Sequence, residues 1–517
     1  MYPLSSVVAA CGLLYVVFLV YHRIIARRPP LPPGPKKLPI LGNMLDIPLK
    51  YPWKRLHEMS KEYGSDVIHL SAPGLSIVYL DSQKAINDLL DRRSSIYSSR
   101  PVMIMMKLMG WTEAFPFMAY SQTWKAQRKI FQREFGKEEA RRFEPQEVKA
   151  ARELLGRCLD APEDILRHIR HLAGSTILAI TYGIEVLPSG DPSIKAAERC
   201  LDAITLATMP GMFWVDAFPP LAHLPDWTPG ATFKKQAKIW RQDMVAMVDE
   251  PFQRVKRQMA DGSARSSVTS RYLENIELNE KDPEERAKSE KLIRDLGGSM
   301  YTVSSFASFF LHMVRNPHLQ RKAQAQLDSV LEKDRLPEFR DQESLPFITA
   351  IVKETLRHSP VTPFACPHRS TEDDVYRGWH IPKDSVMLPS VWALTHDPER
   401  YPDPFAYNPE RFLNPDDTLN PDVPEPRDFT FGFGRRRCPA RYMAWSSMWI
   451  TVASVLSVYD ILPVLDENGK EIIPPPKYTN GIVIHPAPFK CRLIPRSKAH
   501  EELIRNTAST LEAVQIF

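Results

Sequence analysis

With 517 residues, the chain is too long for one minimal domain but suits one large domain, and its 43% hydrophobic content is that of a globular core. A net charge of only +5 gives no reason to expect a nucleic-acid partner. Six scattered cysteines (Cys11, Cys158, Cys200, Cys366, Cys438 and Cys491) form no C-x-x-C pair, which excludes a disulfide framework and a cysteine zinc site and fits a reducing compartment.

Residues 7–21 are an unbroken run of apolar and small side chains. Counted over residues 4–25, the run reaches the roughly 20 residues that cross a bilayer core. Arg23, Arg27 and Arg28 follow the run. A cleaved signal peptide wants its basic residues before the run, so residues 1–28 are expected to be an uncleaved anchor with the basic side cytosolic. A buried soluble helix is the plainer alternative. Pro29-Pro30-Leu31-Pro32-Pro33-Gly34-Pro35 cannot be helical and reads as a stiff polyproline spacer within a hinge over residues 29–48.

Residues 67–70 and 75–80 read as short strands from their apolar, β-branched content, and residues 81–332 follow a mostly helical pattern. Trp124 and Arg128, spaced i, i+4, share a helix face. Residues 209–227 are rich in aromatics and prolines, and residues 261–290 are polar enough to be a solvated connection. Residues 292–314 read as one long central helix. Glu354 and Arg357 lie i, i+3 on a helix, a spacing that by itself means a surface ion pair worth under about 1 kcal/mol. Residues 478–484 read as a hairpin turning at Asn480-Gly481, and residues 497–517 are an extension without a recognisable pattern.

One stretch organises the rest: Phe431-Gly432-Phe433-Gly434-Arg435-Arg436-Arg437-Cys438-Pro439-Ala440, followed by an apolar helix over residues 441–456. A thiol before a helix N-terminus meets spare N–H groups and partial positive charge, which favour the thiolate. The simplest use is one sulfur holding a metal from one side and leaving the other side open. A lone cysteine without such a loop would more often be structural.

The pattern Phe431-x-x-Gly434-x-Arg436-x-Cys438 closely resembles the haem-binding loop of the cytochrome P-450 family, the haem-thiolate monooxygenases. Trp124-x-x-x-Arg128, Glu354-x-x-Arg357 and Arg411 within Asn408-Pro409-Glu410-Arg411-Phe412 resemble further family motifs, in the same order, so the likeness spans residues 29–495. It is nearest to fungal enzymes of secondary metabolism. The resemblance implies a mainly α fold with small β-sheets, preceded by one transmembrane helix, with residues 49–496 as the catalytic domain. It implies haem b, with Cys438 as the axial iron ligand and Trp124, Arg128, His368 or its neighbour Arg369, and Arg436 at the propionates. Glu354, Arg357 and Arg411 become a buried clamp, residues 361–364 pocket lining, residues 209–227 a substrate lid whose apolar surface dips into the membrane, and residues 478–484 a tip touching substrate. Arg435, Arg436 and Arg437 together would make a basic face for an electron donor. That partner would be an NADPH–cytochrome P-450 reductase. The substrate would be a hydrophobic small molecule, and the protein a monomer in the endoplasmic reticulum membrane with its catalytic domain cytosolic.

Two departures stand out. Ala440 occupies a position where the family usually has glycine. In the central helix, Gly297-Gly298-Ser299-Met300-Tyr301-Thr302 carries neither member of the family's acid–alcohol pair, which relays protons for oxygen activation. Aligned without gaps, Met300 and Tyr301 replace the pair. Aligned with a gap, a block of about six residues is missing, roughly 9 Å of helix, through a real deletion or a splice-boundary error. Thr302 is then the nearest candidate catalytic hydroxyl. The departure opens an alternative reading: a haem-thiolate isomerase or dehydratase, or an inactive ligand-binding paralogue. A non-enzymatic anchored protein with a structural cysteine is the third reading.

Overall fold

The computed structural model describes residues 29–209, 211–297, 303–332 and 334–515. The expected anchor at residues 1–28 and the candidate Thr302, with Met300 and Tyr301, lie outside the described residues.

Helices dominate. The first, α1 (Pro52–Glu62), opens on a proline whose missing N–H costs nothing at that position, and it buries Trp53, Leu56 and Met59 on one face. Strands β1 (Val67–Ala72) and β2 (Leu75–Leu80) follow as an antiparallel pair with Val67 opposite Leu80. Then come α2 (Gln122–Phe135), α3 (Glu144–Asp160), α4 (Ile165–Tyr182), α5 (Pro192–Ala207) and the long α6 (Thr232–Ala260). The stretch expected to be a solvated connection instead holds α7 (Val268–Asn279) and the start of α8 (Pro283–Gly297). The Ser267–Ser270 capping box starts α7, and its Val268, Leu273 and Ile276 are buried despite a polar surrounding sequence. The expected single central helix is two described segments, α8 and α9 (Ser304–Arg315), with residues 298–302 between them outside the description.

The second half adds α10 (Pro317–Val330), α11 (Pro346–His358) and short strands β3 (His368–Arg369), β4 (Asp374–Tyr376), β5 (Trp379–Ile381) and β6 (Val386–Pro389). Strand β6 pairs in parallel with β2 and antiparallel with β3, giving a four-stranded sheet in the order β1-β2-β6-β3. Helix α12 (Arg441–Val458) is apolar nearly all round and lies in the middle of the largest core, among α3, α4, α9 and α11. Strand β7 (Tyr459–Leu465) pairs with β8 (Glu471–Ile472) and β9 (Cys491–Pro495). The C-terminal extension is helix α13 (Lys498–Gln515), which buries Ile504 in the main core and brings Ala508 over Gly156 of α3.

Three further expectations change. The proline segment is stitched to the sheets instead of standing off as a spacer: His69 N donates to Pro33 O and His380 N to Pro30 O. Prolines lack donors but keep acceptor carbonyls, and strand N–H groups use them. The hairpin of residues 478–484 is a loop closed by one bridge, Tyr478 to Pro486. Its Asn480 side chain accepts from Tyr51 N and donates to Leu49 O, which fastens the turn to the N-terminal segment. Among the described residues no helix is long and apolar enough to cross a membrane.

Candidate active site

Every residue of the cysteine loop is placed by backbone geometry. Gly434 has φ 54°, and a Cβ there would lie 2.1 Å from Leu90 O, so no other residue permits this approach. Cys438 N donates to Phe431 O at 2.7 Å, closing the loop. Ala440 sits at φ −87°, an ordinary conformation, so the usual glycine is dispensable there. Burial pushes the Cys438 thiol up, while the Ala440 N–H and the Arg128 and Arg441 guanidiniums act the other way and favour the thiolate.

Cys438 lines a cavity of about 310 Å³. Pro439, Ala440, Met443, Ala444 and Ser447 continue its wall along the start of α12, and Ser305 and Phe306 of α9 lie on it as well. Phe115, Phe131, Ala173, Ile177, Val361 and Ala365 complete an apolar lining. Of the expected pocket residues, Val361 and Thr362 line the cavity, whereas Phe364 packs edge-on against Trp53 and Tyr79.

The charged lining is entirely cationic or neutral. Arg436 is buried: its Nε donates to Ser98 O and its Nη2 to Met118 O, and Nη1 has no partner. Its guanidinium carbon stands 4.1 Å over the Trp124 ring, and Trp124 Nε1 is also buried without a partner. Arg100, which sequence reading missed, lies on the same wall with its Nε and Nη1 on the carbonyls of Pro116, Cys366 and Pro367. Burial, with Arg100 next in weight, pushes the Arg436 guanidinium down. Among the described residues no aspartate or glutamate lines the cavity. His368 donates from Nδ1 to Tyr97 O, and burial and Arg100 hold it neutral. Only Arg100's isolation within Ile96-Tyr97-Ser98-Ser99-Arg100-Pro101, an otherwise uncharged stretch, could have drawn attention to it.

The structure brings Trp124, His368, Arg436 and Cys438 to this cavity but not Arg128. Arg128 donates to Arg437 O at 2.5 Å and lines a separate cleft with Asp91, Arg437 and Arg441, so it braces the residue before Cys438. Arg369 also stays off the wall and faces Asp384 at 3.7 Å. The three consecutive arginines do not share one face: Arg436 turns inward, Arg437 is half-buried and Arg435, alone exposed, donates to the Tyr120 hydroxyl. Tight turns around Gly434 send successive side chains in different directions.

Behind the loop, Glu354 and Arg357 are 0% exposed. Arg357 donates to both carboxylate oxygens at 2.7 Å, and Arg411 Nε reaches the same carboxylate at 3.3 Å. Asn408 N adds a further donor at 2.8 Å.

A helical shell around an apolar cavity, with Cys438 and Cys366 on the wall and the unanswered donors of Arg436 and Trp124 beside them, defines a protein class. Such a cavity would suit an apolar group that carries negative charge and binds a sulfur. The family model for cytochrome P450 matches residues 32–493. Cytochrome P450 monooxygenase 98 of Postia placenta is 44% identical over 504 residues, covering 96% of each chain. The monooxygenase ple1 of Rhodocybe pseudopiperita is 40% identical over 97% of this chain and 96% of its own. The tryptamine 4-monooxygenase of Psilocybe cyanescens is 40% identical over 91% of this chain and 94% of its own. The chain therefore belongs to the cytochrome P450 family. It is an oxygen-incorporating haem-thiolate oxidoreductase, with haem b as cofactor and NADPH as the indirect electron source.

The cavity residues fit that cofactor. Two buried guanidiniums and an orphaned indole N–H face a space that offers them no carboxylate, and the two propionates of haem supply that charge. The apolar remainder suits the porphyrin plane.

Proposed function

We propose that this enzyme hydroxylates or otherwise oxidises a neutral, lipophilic metabolite of fungal secondary metabolism, with Cys438 as the axial iron ligand. The carrying observation is the cavity that joins Cys438, the unanswered Arg436 and Trp124 donors and an aromatic wall. When bound, haem supplies the oxygen chemistry. Cys438 would hold it, and the Ala440 N–H, Arg128 and Arg441 act against the burial that pushes that thiol up. Arg100, Arg436, Trp124 and His368 hold its carboxylates. His368 spends its Nδ1 hydrogen on Tyr97 O, so it donates to a propionate only when that negative charge draws a second proton onto the ring. The clamp of Glu354, Arg357 and Arg411 fixes the irregular segment that leads to the cysteine loop. Phe115, Phe131, Ile177 and Phe306 exclude water and position an apolar substrate.

The membrane placement belongs to the same reading. Trp214 and Trp227 are 61% and 82% exposed, and Ile40 is 93% exposed among Leu38, Leu41, Leu45 and Leu49. A Cβ at Gly211 would lie 3.6 Å from Leu49, so these two apolar segments adjoin. With residues 1–28 as the anchor, this surface rests on the endoplasmic reticulum membrane and admits substrate through the lid. Electrons arrive from a membrane-bound reductase on the face that carries the exposed Arg435. Co-expression with a fungal NADPH–cytochrome P450 reductase, followed by metabolite profiling of lipophilic extracts, tests the reading. A new oxygenated product dependent on NADPH is expected. Reduced-enzyme spectra without a carbon-monoxide band, or consumption of NADPH with no product from any lipophilic fraction, count against it.

A further inference from the structure

Residues 296–314 contain no carboxylate, and Asp295 is engaged by Lys291 at 2.7 Å and Arg294 at 2.8 Å. An acid on the central helix therefore cannot supply protons to the cavity. A different set of polar groups lies directly behind α9. Ser308 is fully buried, and its Oγ is 3.2 Å from the Tyr478 hydroxyl. Tyr478 OH is 2.7 Å from Ser359 Oγ. Ser359 Oγ lies 3.0 Å from His312 Nε2 and 3.2 Å from His358 Nδ1. His358 Nε2 ends the series 3.1 Å from the carbonyl of Phe405, a residue 65% exposed. At the other end, Ser308 lies three residues from Ser305 on one helical face, and Ser305 lines the cavity. The series is thus unbroken from a half-buried imidazole to the helix that forms the cavity wall.

The hydrogen-bond direction at the His358 end of this series is set by one group. The Phe405 carbonyl only accepts, so His358 Nε2 carries hydrogen. In the neutral ring, Nδ1 accepts from Ser359; the Ser359–Tyr478 contact can run either way, and the Tyr478 hydroxyl donates to Ser308 Oγ. In the imidazolium, Nδ1–H donates to Ser359, Ser359 donates to Tyr478, and Tyr478 donates to Ser308, the direction the structure shows. His312 Nε2 lies 3.0 Å from Ser359 Oγ, and its stacking on Tyr407, with centroids 4.0 Å apart, holds it there.

We propose that His358, Ser359, Tyr478 and Ser308 are a proton relay that serves the cavity in place of an acid on the central helix. The proposal rests on the monooxygenase reading above. Each transfer balances. The imidazolium gives its Nδ1 proton to Ser359, Ser359 gives one to Tyr478, Tyr478 gives one to Ser308, and Ser308 gives one to a water beside Ser305. The ring returns to neutral, every hydroxyl keeps one hydrogen, and nothing is oxidised or reduced. His358 is faced by His312, His396, Tyr407 and the guanidiniums of Arg357 and Arg411. Burial first, then Arg357 and Arg411, bring it down to about 4, so the imidazolium is transient and relay flux falls as pH rises.

The test uses the full-chain holoenzyme with reductase and NADPH and no added substrate. Oxygen then leaves as hydrogen peroxide or, after two more electrons and two more protons, as water. Wild type should release well under one peroxide per NADPH. Tyr478→Phe and, independently, Ser359→Ala should raise that ratio to near one, and the wild-type fall in water formation with rising pH should flatten. The carbon-monoxide spectrum should stay that of wild type, so failure of the haem-thiolate reading would be seen separately. A second readout is independent of turnover. With 3-fluorotyrosine at position 478 of the diamagnetic ferrous carbonyl form, His358→Gln should shift the fluorine resonance, and Ser359→Ala should abolish that response. A peroxide ratio unchanged in both variants, a wild-type ratio already at one, or a fluorine response independent of Ser359 would overturn the relay.

Discussion

Two clusters of buried guanidinium groups lie on either side of the cysteine loop, and they differ in what answers them. Arg357 and Arg411 converge on the Glu354 carboxylate, and their remaining donors reach the carbonyls of Thr395, Pro402, Asp403, Pro404 and Ala406. Arg100 and Arg436 reach only carbonyls, and Arg436 Nη1 with the neighbouring Trp124 Nε1 is left over. The first cluster is complete within the polypeptide and so can act only as structure. The second is complete only when an outside anion enters. A buried unanswered charge is among the most expensive features a fold can carry, so the difference separates a scaffold from a binding site.

Breaking the closed cluster should have the largest effect. Glu354→Ala leaves two buried guanidiniums without their anion, and stability should fall by about 3–5 kcal/mol. Thermal unfolding of the apoprotein reads this directly, before any haem is added. The same operation on the open cluster should have the opposite sign for the apoprotein. Arg436→Met removes an unpaired buried charge, so apoprotein stability should hold or rise, while haem affinity should drop about 10- to 100-fold through loss of a charged hydrogen bond. Haem transfer to apomyoglobin measures the second quantity. A fall in both would show that Arg436 is scaffold, not site.

A third buried ionisable group sharpens the contrast. Glu147, on α3 against α12, has one partner, the Ser446 hydroxyl at 2.9 Å, and its Oε2 has none. Burial pushes its carboxyl up to about 8. Between the ordinary carboxyl range and that value, the folded protein holds a proton that the unfolded chain has released. Stability should therefore fall as pH rises across this window, by about 1 kcal/mol per pH unit. Glu147→Gln should flatten the slope in chemical denaturation measured at pH 6, 7 and 8.

What the sequence made legible follows the same division. Local features were readable: the strands at residues 67–80, the apolar helix after the cysteine loop, and the i, i+3 spacing of Glu354 and Arg357. Arg411 could be joined to them only through the family resemblance, because the partner lies 57 residues beyond Glu354. Arg100 gave no periodic signal, and its place on the cavity wall comes from carbonyls supplied by residues as distant as Cys366 and Pro367. The i, i+4 spacing put Trp124 and Arg128 on one face, but it could not tell that the shorter reach of the indole ends in the cavity while the longer arm passes on to Arg437 O. The polar stretch that forms α7 reads as a connection because its buried face needs few apolar residues, chiefly Val268, Leu273 and Ile276.

The central claim is that one sulfur, Cys438, holds the haem iron. The most direct measurement is the carbon-monoxide difference spectrum of the reduced full-length protein beside that of Cys438→Ser. Wild type should show the strongly red-shifted Soret band of thiolate ligation, and the serine protein should lose it or move it to the position of an oxygen- or nitrogen-ligated haem. An identical red-shifted band in both proteins would contradict the account.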